Sequence, residues 1–215
     1  MRNDRANVFI PERRRHIVLS LGHRVCRPLC KAKLPIHPAR STCKPSADRL
    51  YTARILADFE QFTGGSIASH FGLIAGTSIG GILALALAVG VKAEKMVNLF
   101  EKHGEEIFKP RFNLRNVWRS TYTLTRLASL LQATDVFGEQ TLGDCQRPVI
   151  VPAINYSTGE PVVFKTPHHE NFFNDQKHRL VDVALATSAA PMYFPRHAFN
   201  NCQGPQAMIS IREDH

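Results

Sequence analysis

Short apolar runs alternate with longer segments of helical spacing along most of the chain. The short runs, rich in branched apolar residues, predict strands at 15–21, 148–155 and 161–165. Apolar residues repeated at intervals of three and four predict helices at 51–62, 93–108 and 180–190. Strands that alternate with helices indicate an α/β domain with a central sheet.

Two regions have a less regular pattern. In the helix at 51–62, the apolar side chains of Ile55, Phe59 and Phe62 share one face, which we expect to pack against the sheet. Residues 111–133 carry scattered apolar positions among basic ones and predict a pair of surface helices, with a lid over a functional site as the alternative.

Residues 22–49 show neither the helical nor the strand period. They are basic and contain four prolines, which predicts an irregular insert. Three cysteines and two histidines fall within it, and Cys26, Cys30, His37 and Cys43 are the candidate metal ligands among them. Their spacing is not that of a zinc finger, so we expect no metal site.

The pattern changes most abruptly at residues 73–87, where a short apolar run, a turn of small residues and a longer apolar run follow one another. The turn reads Gly76-Thr77-Ser78-Ile79-Gly80, which is G-x-S-x-G. A strand, a tight turn and a helix in this order form a nucleophile elbow, which lifts a serine hydroxyl off the end of a sheet. We therefore predict Ser78 as a nucleophile.

The neighbours of Ser78 have roles in the same prediction. Gly76 and Gly80 lack a Cβ that would clash in the cramped turn, and Gly81 lets the helix approach the strand. The N–H of Ile79 and the helix dipole favour an oxyanion beside Ser78, with Thr77 completing the turn. A phosphate-binding P-loop fits less well because no lysine follows the glycines.

Composition adds a basic N-terminal arm to this picture. Residues 1–50 hold twelve of the 27 Lys and Arg residues but three of the 18 Asp and Glu residues. The arm is a candidate contact for an anionic membrane surface, and no nucleic acid partner is expected. The first residues lack the apolar core of a secretory signal and the cysteine count is odd, so we expect a cytoplasmic protein, peripheral at the membrane where the arm binds.

Two separated stretches, 71–85 around Ser78 and Ala186-Thr187-Ser188-Ala189-Ala190-Pro191-Met192-Tyr193-Phe194-Pro195, resemble the patatin-like phospholipase family in its bacterial form. The likeness runs from about 50 to 199 and includes the first strand. It implies a three-layer α/β sandwich with a central, mostly parallel sheet that lacks its C-terminal part. It also implies a phospholipase A type hydrolase with a Ser-Asp dyad, acting in lipid degradation on phospholipids or other acyl lipids without a metal or cofactor. Ser78 would attack the acyl ester, and water would cleave the acyl-enzyme.

Two elements of the family pattern are not found. The glycine-rich D-G-G-G-x-R-G turn that supplies oxyanion donors should follow the first strand, where this chain has Gly22-His23-Arg24. The catalytic D-G-G or D-G-A motif should follow near 206–209, where Asp214 is the only candidate base and no glycine follows it. Loss of an oxyanion donor costs about 10²–10³-fold in rate, so we expect an enzyme that is weakly active or inactive.

These patterns divide the chain into a basic tail (1–14), an acyl hydrolase domain (15–200) with the insert at 22–49, and a C-terminal tail (201–215). Three alternatives stay open. In the first, the chain is a non-catalytic remnant that binds lipid or membrane. In the second, it is an α/β-hydrolase esterase in which Ser78 acts with Asp175 or Asp182 and with His197. In the third alternative, the segment 22–48 is a sequence error rather than an insert.

Overall fold

The computed structural model describes residues 18–21, 45–107, 124–133, 135–189, 194–201 and 204–209. The described strands are β1 (Val18–Leu21), β2 (Leu73–Gly76), β3 (Val149–Asn155), β4 (Glu160–Lys165), β5 (His197–Asn201) and β6 (Gly204–Ile209). The described α-helices are α1 (Pro45–Thr63), α2 (Ile79–Ala88), α3 (Ala93–Ile107), α4 (Leu124–Leu131) and α5 (Leu180–Ser188). Short 3₁₀ turns occupy Ile67–His70 and Leu142–Asp144. The predicted α/β class is confirmed.

The six described strands form one sheet in the order β1, β2, β3, β6, β5, and β4 also pairs with β3. Strands β1, β2 and β3 are parallel, so their carboxyl ends meet at the same edge of the sheet. Strands β4 and β6 run antiparallel to β3, and β5 runs antiparallel to β6. The parallel half therefore carries the site, since functional residues of such sheets collect at the carboxyl ends of the strands.

Two different strands share one edge of β3. Strand β2 pairs with its start, through Val149 and Ile150, and β6 pairs with its end, through Ile154 and Asn155. Between them, residues 151–153 pair with β4 on the opposite edge. This interval lies just beyond the end of β2, where the chain turns out of the sheet at Ser78.

Helix α2 occupies the centre of the core. All residues from Gly81 to Ala88 are buried, and the helix contacts β2, β3, α3 and α5. A helix that is apolar on every side is expected in such a position, because no face needs water. Helix α4 buries Leu124, Leu127 and Leu131 against α3 and α5. No helix in the described ranges has the length and apolar character needed to cross a membrane.

Helix α1 differs from the prediction in its start and in its buried face. It begins at Pro45, inside the segment expected to be irregular, while residues 22–44 lie outside the described ranges. Phe59 and Phe62 are 52% and 89% exposed, and Ala53 and Leu56 are buried instead. The helix packs mainly on α3. The expected face was wrong because α1 is apolar on two sides, and the side with the smaller residues makes the closer contact.

The sequence also failed to predict the C-terminal strands of the sheet, because it indicated a tail from residue 201 onward. Strand β5 crosses residue 200, and β6 lies inside the segment expected to be a tail, where it pairs with β5 and β3. The residues of β6 begin with Gly204-Pro205 and lack a run of branched apolar residues, so their sequence pattern is weak. Pairing with β3 therefore determines this strand more than local preference does.

Candidate active site

The turn between β2 and α2 holds Ser78 in a strained backbone conformation. Ser78 has φ 53° and ψ −125°, and it is the one residue other than glycine with a positive φ in the described ranges. Such a conformation costs about 1–3 kcal/mol and persists where the surrounding structure enforces it. A half-buried serine at the end of a parallel strand and the start of a buried helix has the geometry of a nucleophile elbow.

Two glycines make the turn possible. A Cβ on Gly76 would lie 2.2 Å from the carbonyl oxygen of Gly80 and 2.5 Å from its carbon. A Cβ on Gly81 would lie 2.8 Å from Cγ2 of Thr187 and 3.1 Å from the oxygen of Gly76. The close approach at Gly76 is therefore between the backbone of this residue and the backbone of Gly80.

A threonine side chain on α5 fixes the backbone of Ser78. The N–H of Ser78 donates to Oγ1 of Thr187 at 3.0 Å, and this hydroxyl donates to the carbonyl oxygen of Pro152 at 2.9 Å. Thr187 is fully buried. Sequence reasoning used Thr187 only as part of the family resemblance. The signal available was a hydroxyl residue that directly follows the apolar run 183–186 of the helix.

The N-terminus of α2 is open to an anion. The carbonyl of Ser78 accepts the first hydrogen bond of the helix, from the N–H of Ile82, and the side chain of Ser78 does not cap the helix. The amides of Ile79, Gly80 and Gly81 precede that bond and have no acceptor within the helix. With the helix dipole, they make the region beside Ser78 favourable for negative charge.

The described residues do not assemble a Ser-Asp-His triad. Asp175 accepts a hydrogen bond from the N–H of Lys165 at 3.2 Å and lies 3.9 Å from its ammonium group. Oδ1 of Asp182 lies 3.3 Å from Nε2 of His197, although that nitrogen makes no well-aligned hydrogen bond. Neither pair hydrogen-bonds to Ser78, whose N–H is taken by Thr187.

The predicted base and the cysteine-rich segment lie outside the described residues. Asp214 follows the last described residue of β6, which is paired with Ile154. Strand β6 is antiparallel to β3, so it runs toward the interval 151–153, which contains the Pro152 carbonyl that Thr187 links to Ser78. Cys26, Cys30, His37 and Cys43 are likewise not described. Within the described ranges, no three His, Cys, Asp or Glu side chains are placed to hold a metal ion.

Comparison with known proteins agrees with the resemblance seen in the sequence. A family model described as patatin-like phospholipase matches residues 50–208. A cGAMP-activated phospholipase of Pseudomonas aeruginosa is 48% identical over 148 residues, which cover 68% of this chain and 44% of that protein. A protein of the same name from Escherichia coli is 40% identical over 158 residues, covering 69% and 44%.

A more distant relative and a solved structure are also similar to this chain. Patatin-17 of Solanum cardiophyllum is 26% identical over 151 residues, which cover 67% of this chain and 38% of that protein. The crystal structure of VipD from Legionella pneumophila aligns with 77% of this chain and 44% of its own at 13% identity, with a TM-score of 0.42. The matched region spans less than half of each of these relatives. From the family match over residues 50–208, this chain belongs to the patatin-like phospholipase family.

Proposed function

We propose that the chain carries the nucleophile of a serine lipid acyl hydrolase, and that Ser78 attacks the carbonyl carbon of a fatty-acyl ester. The observation that carries this proposal is the strained Ser78 turn, held between β2 and the buried helix α2. Strain in a backbone that the fold enforces is a feature of functional sites. The substrate class, phospholipids or related acyl lipids, follows from the family and from relatives named as phospholipases.

The reaction would proceed in two steps. Oγ of Ser78 bonds to the acyl carbon, its proton passes to a base, and the alcohol of the lipid leaves with a proton. The oxyanion forms next to the N–H of Ile79 and the positive end of α2, which stabilise it without reorganisation. Water then attacks the acyl-enzyme, releases the fatty acid and restores the serine.

The base in this proposal is a carboxylate. Asp214 is the candidate, since it follows β6 in the sequence, and the described part of β6 runs toward the interval of β3 that Thr187 links to Ser78. His197 is the weaker candidate, because its Nε2 is directed to Asp182 on the same helix as Thr187. We also propose that the protein is cytoplasmic and that its basic N-terminal arm, residues 1–50, contacts an anionic membrane surface.

Regulation by a nucleotide is suggested by the relatives. The proteins from Pseudomonas aeruginosa, Escherichia coli and Vibrio cholerae that match at 40–48% identity are each named as a cGAMP-activated phospholipase. This chain matches 44–46% of their length. We therefore include this cyclic dinucleotide as a separate condition in the activity test.

The test measures fatty acid released from phospholipid in mixed micelles, with and without cGAMP. We compare the 215-residue chain with Ser78→Ala, Asp214→Asn and His197→Ala. We expect release by the wild type and by His197→Ala, and a fall to the background rate in the Ser78 and Asp214 variants, because the nucleophile and its base act as a unit. Equal release by wild type and Ser78→Ala would contradict the proposal.

A further inference from the structure

We propose that Thr187 is a positioning residue for Ser78. Its hydroxyl holds the backbone of the nucleophile in the strained turn and keeps the N–H of Ser78 away from the oxyanion. This inference rests on the proposed function of Ser78 and adds a residue from a different element, α5, to the same site.

The direction of the hydrogen bonds determines what Thr187 does. A hydroxyl has a single proton to donate, and that of Thr187 goes to the carbonyl oxygen of Pro152, 2.9 Å away. A lone pair of Oγ1 is then directed to the N–H of Ser78 at 3.0 Å. The three groups form one chain of hydrogen bonds from the elbow through α5 to β3, with each donor matched to one acceptor.

The position of Pro152 explains why this chain of bonds ends on β3. Pro152 lies in the interval of β3 between the residues paired with β2 and those paired with β6. Among the described strands, its carbonyl has no partner on that edge, and proline brings no N–H that would be left unpaired there. The Thr187 hydroxyl satisfies this carbonyl and places its own oxygen beside the elbow.

The methyl group of Thr187 fills the space beside Gly81. Its Cγ2 lies where a side chain on Gly81 would be, 2.8 Å from the ideal Cβ position. The methyl group therefore packs against the first turn of α2, and the hydroxyl holds Ser78 from the same side. Because the N–H of Ser78 is used in this way, the amides left for an oxyanion are those that start the helix, beginning with Ile79.

The neighbouring residue provides a matched control. Ser188 is also buried at the end of α5, and in the described part of the structure its Oγ has no hydrogen-bond partner. Thr187→Val keeps the shape of the side chain and removes the hydroxyl, whereas Thr187→Ser keeps the hydroxyl and removes the methyl group. Ser188→Ala removes a hydroxyl of the same helix without breaking a bond to the elbow.

The experiment measures two quantities for the wild type and these three variants of the full chain. One is the hydrogen-exchange rate of the Ser78 amide, followed by NMR with the amides of α2 as an internal reference for folding. The other is the rate at which a fluorophosphonate labels Ser78. We expect Thr187→Val to lose protection of the Ser78 amide and to label about 10²-fold more slowly, the scale of a misplaced reacting group. Thr187→Ser and Ser188→Ala should stay close to the wild type in both.

The outcomes separate this inference from the proposed function. Labelling of Thr187→Val at the wild-type rate would overturn the role of Thr187 and leave Ser78 as the nucleophile. Slow labelling of both Thr187→Val and Thr187→Ser, with the Ser78 amide still protected from exchange in Thr187→Val, would show that the hydroxyl does not hold the elbow and would also overturn the role. No labelling of any variant, the wild type included, would reject the proposed function and with it the positioning role.

Discussion

The elbow at Ser78 and helix α1 are determined by different kinds of contact. At the elbow, a Cβ on Gly76 would lie 2.2 Å from a backbone oxygen, so the close fit involves the main chain itself. Helix α1 is held by side chains, through buried Ala53 and Leu56 and through the carboxylate of Glu60. Sequence patterns identify the first kind of contact well, because few residues permit it, and identify the second kind less well.

The largest effect is expected at the elbow. Gly76→Ala should destabilise the fold by about 3 kcal/mol or more, because the new methyl group meets the backbone of Gly80 and no side chain can move aside. Gly104→Ala in α3 is the matched control, since a Cβ there meets nothing within 4 Å and alanine favours a helix. Urea unfolding measures both. Equal stability of the two variants would contradict the close backbone contact.

The faces of α1 give the next effect. Leu56→Ala should cost about 3 kcal/mol, since the leucine is 4% exposed, and Phe62→Ala should change the free energy of unfolding by less than about 0.5 kcal/mol, since this phenylalanine is 89% exposed. Thermal and urea unfolding measure the difference. The reverse order would restore the face predicted from the sequence and place Phe62 in the core.

Glu60 provides a smaller effect on the same helix. Its two carboxylate oxygens accept the N–H groups of Ile67 at 3.1 Å and Ala93 at 2.7 Å, which links α1 to the 3₁₀ turn and to the start of α3. Glu60→Gln leaves one of these amides without an acceptor and should cost about 1–2 kcal/mol in urea unfolding. Glu94→Gln, an exposed change in the first turn of α3, is the control. A Glu60 variant as stable as this control would show that the links are unimportant.

The smallest effect concerns the thiol of Cys145, near the C-terminal end of α2. Cys145 precedes Gln146, whose N–H bonds to the carbonyl of Ala88 at the end of that helix. Burial, and to a lesser extent the charge of Asp144, raises the pKa of the Cys145 thiol to about 12. The thiol therefore stays protonated at neutral pH, and iodoacetamide should leave it unmodified in the native chain until the pH approaches that value.

Peptide mapping by mass spectrometry measures this directly, with urea-unfolded chain as the positive control. Rapid alkylation of native Cys145 at pH 7.5 would contradict the raised pKa of this half-buried thiol. Such a result would also weaken the contrast between the two ends of α2, of which only the Ser78 end is expected to be reactive.

The sequence predicted those parts of the candidate site that are formed by one continuous segment of the chain. G-x-S-x-G between two apolar runs specifies β2, Ser78 and α2, since glycine is required where the chain approaches itself. The role of Thr187 could not be read from the sequence, because the hydrogen bond to Ser78 joins residues 109 positions apart. Strand β6 was missed for a similar reason, since its pairing with β3 involves distant residues and its own pattern is weak.

We have proposed that the fold holds Ser78 as an activated nucleophile. The most direct test of this proposal is to treat the folded chain with a fluorophosphonate and to locate the adduct by mass spectrometry, beside Ser78→Ala and Ser188→Ala. We predict one adduct on Ser78, present in the wild type and in Ser188→Ala and absent from Ser78→Ala, because an activated serine reacts and an ordinary hydroxyl does not. A folded chain that forms no adduct at Ser78, or an adduct that survives in Ser78→Ala, would contradict it.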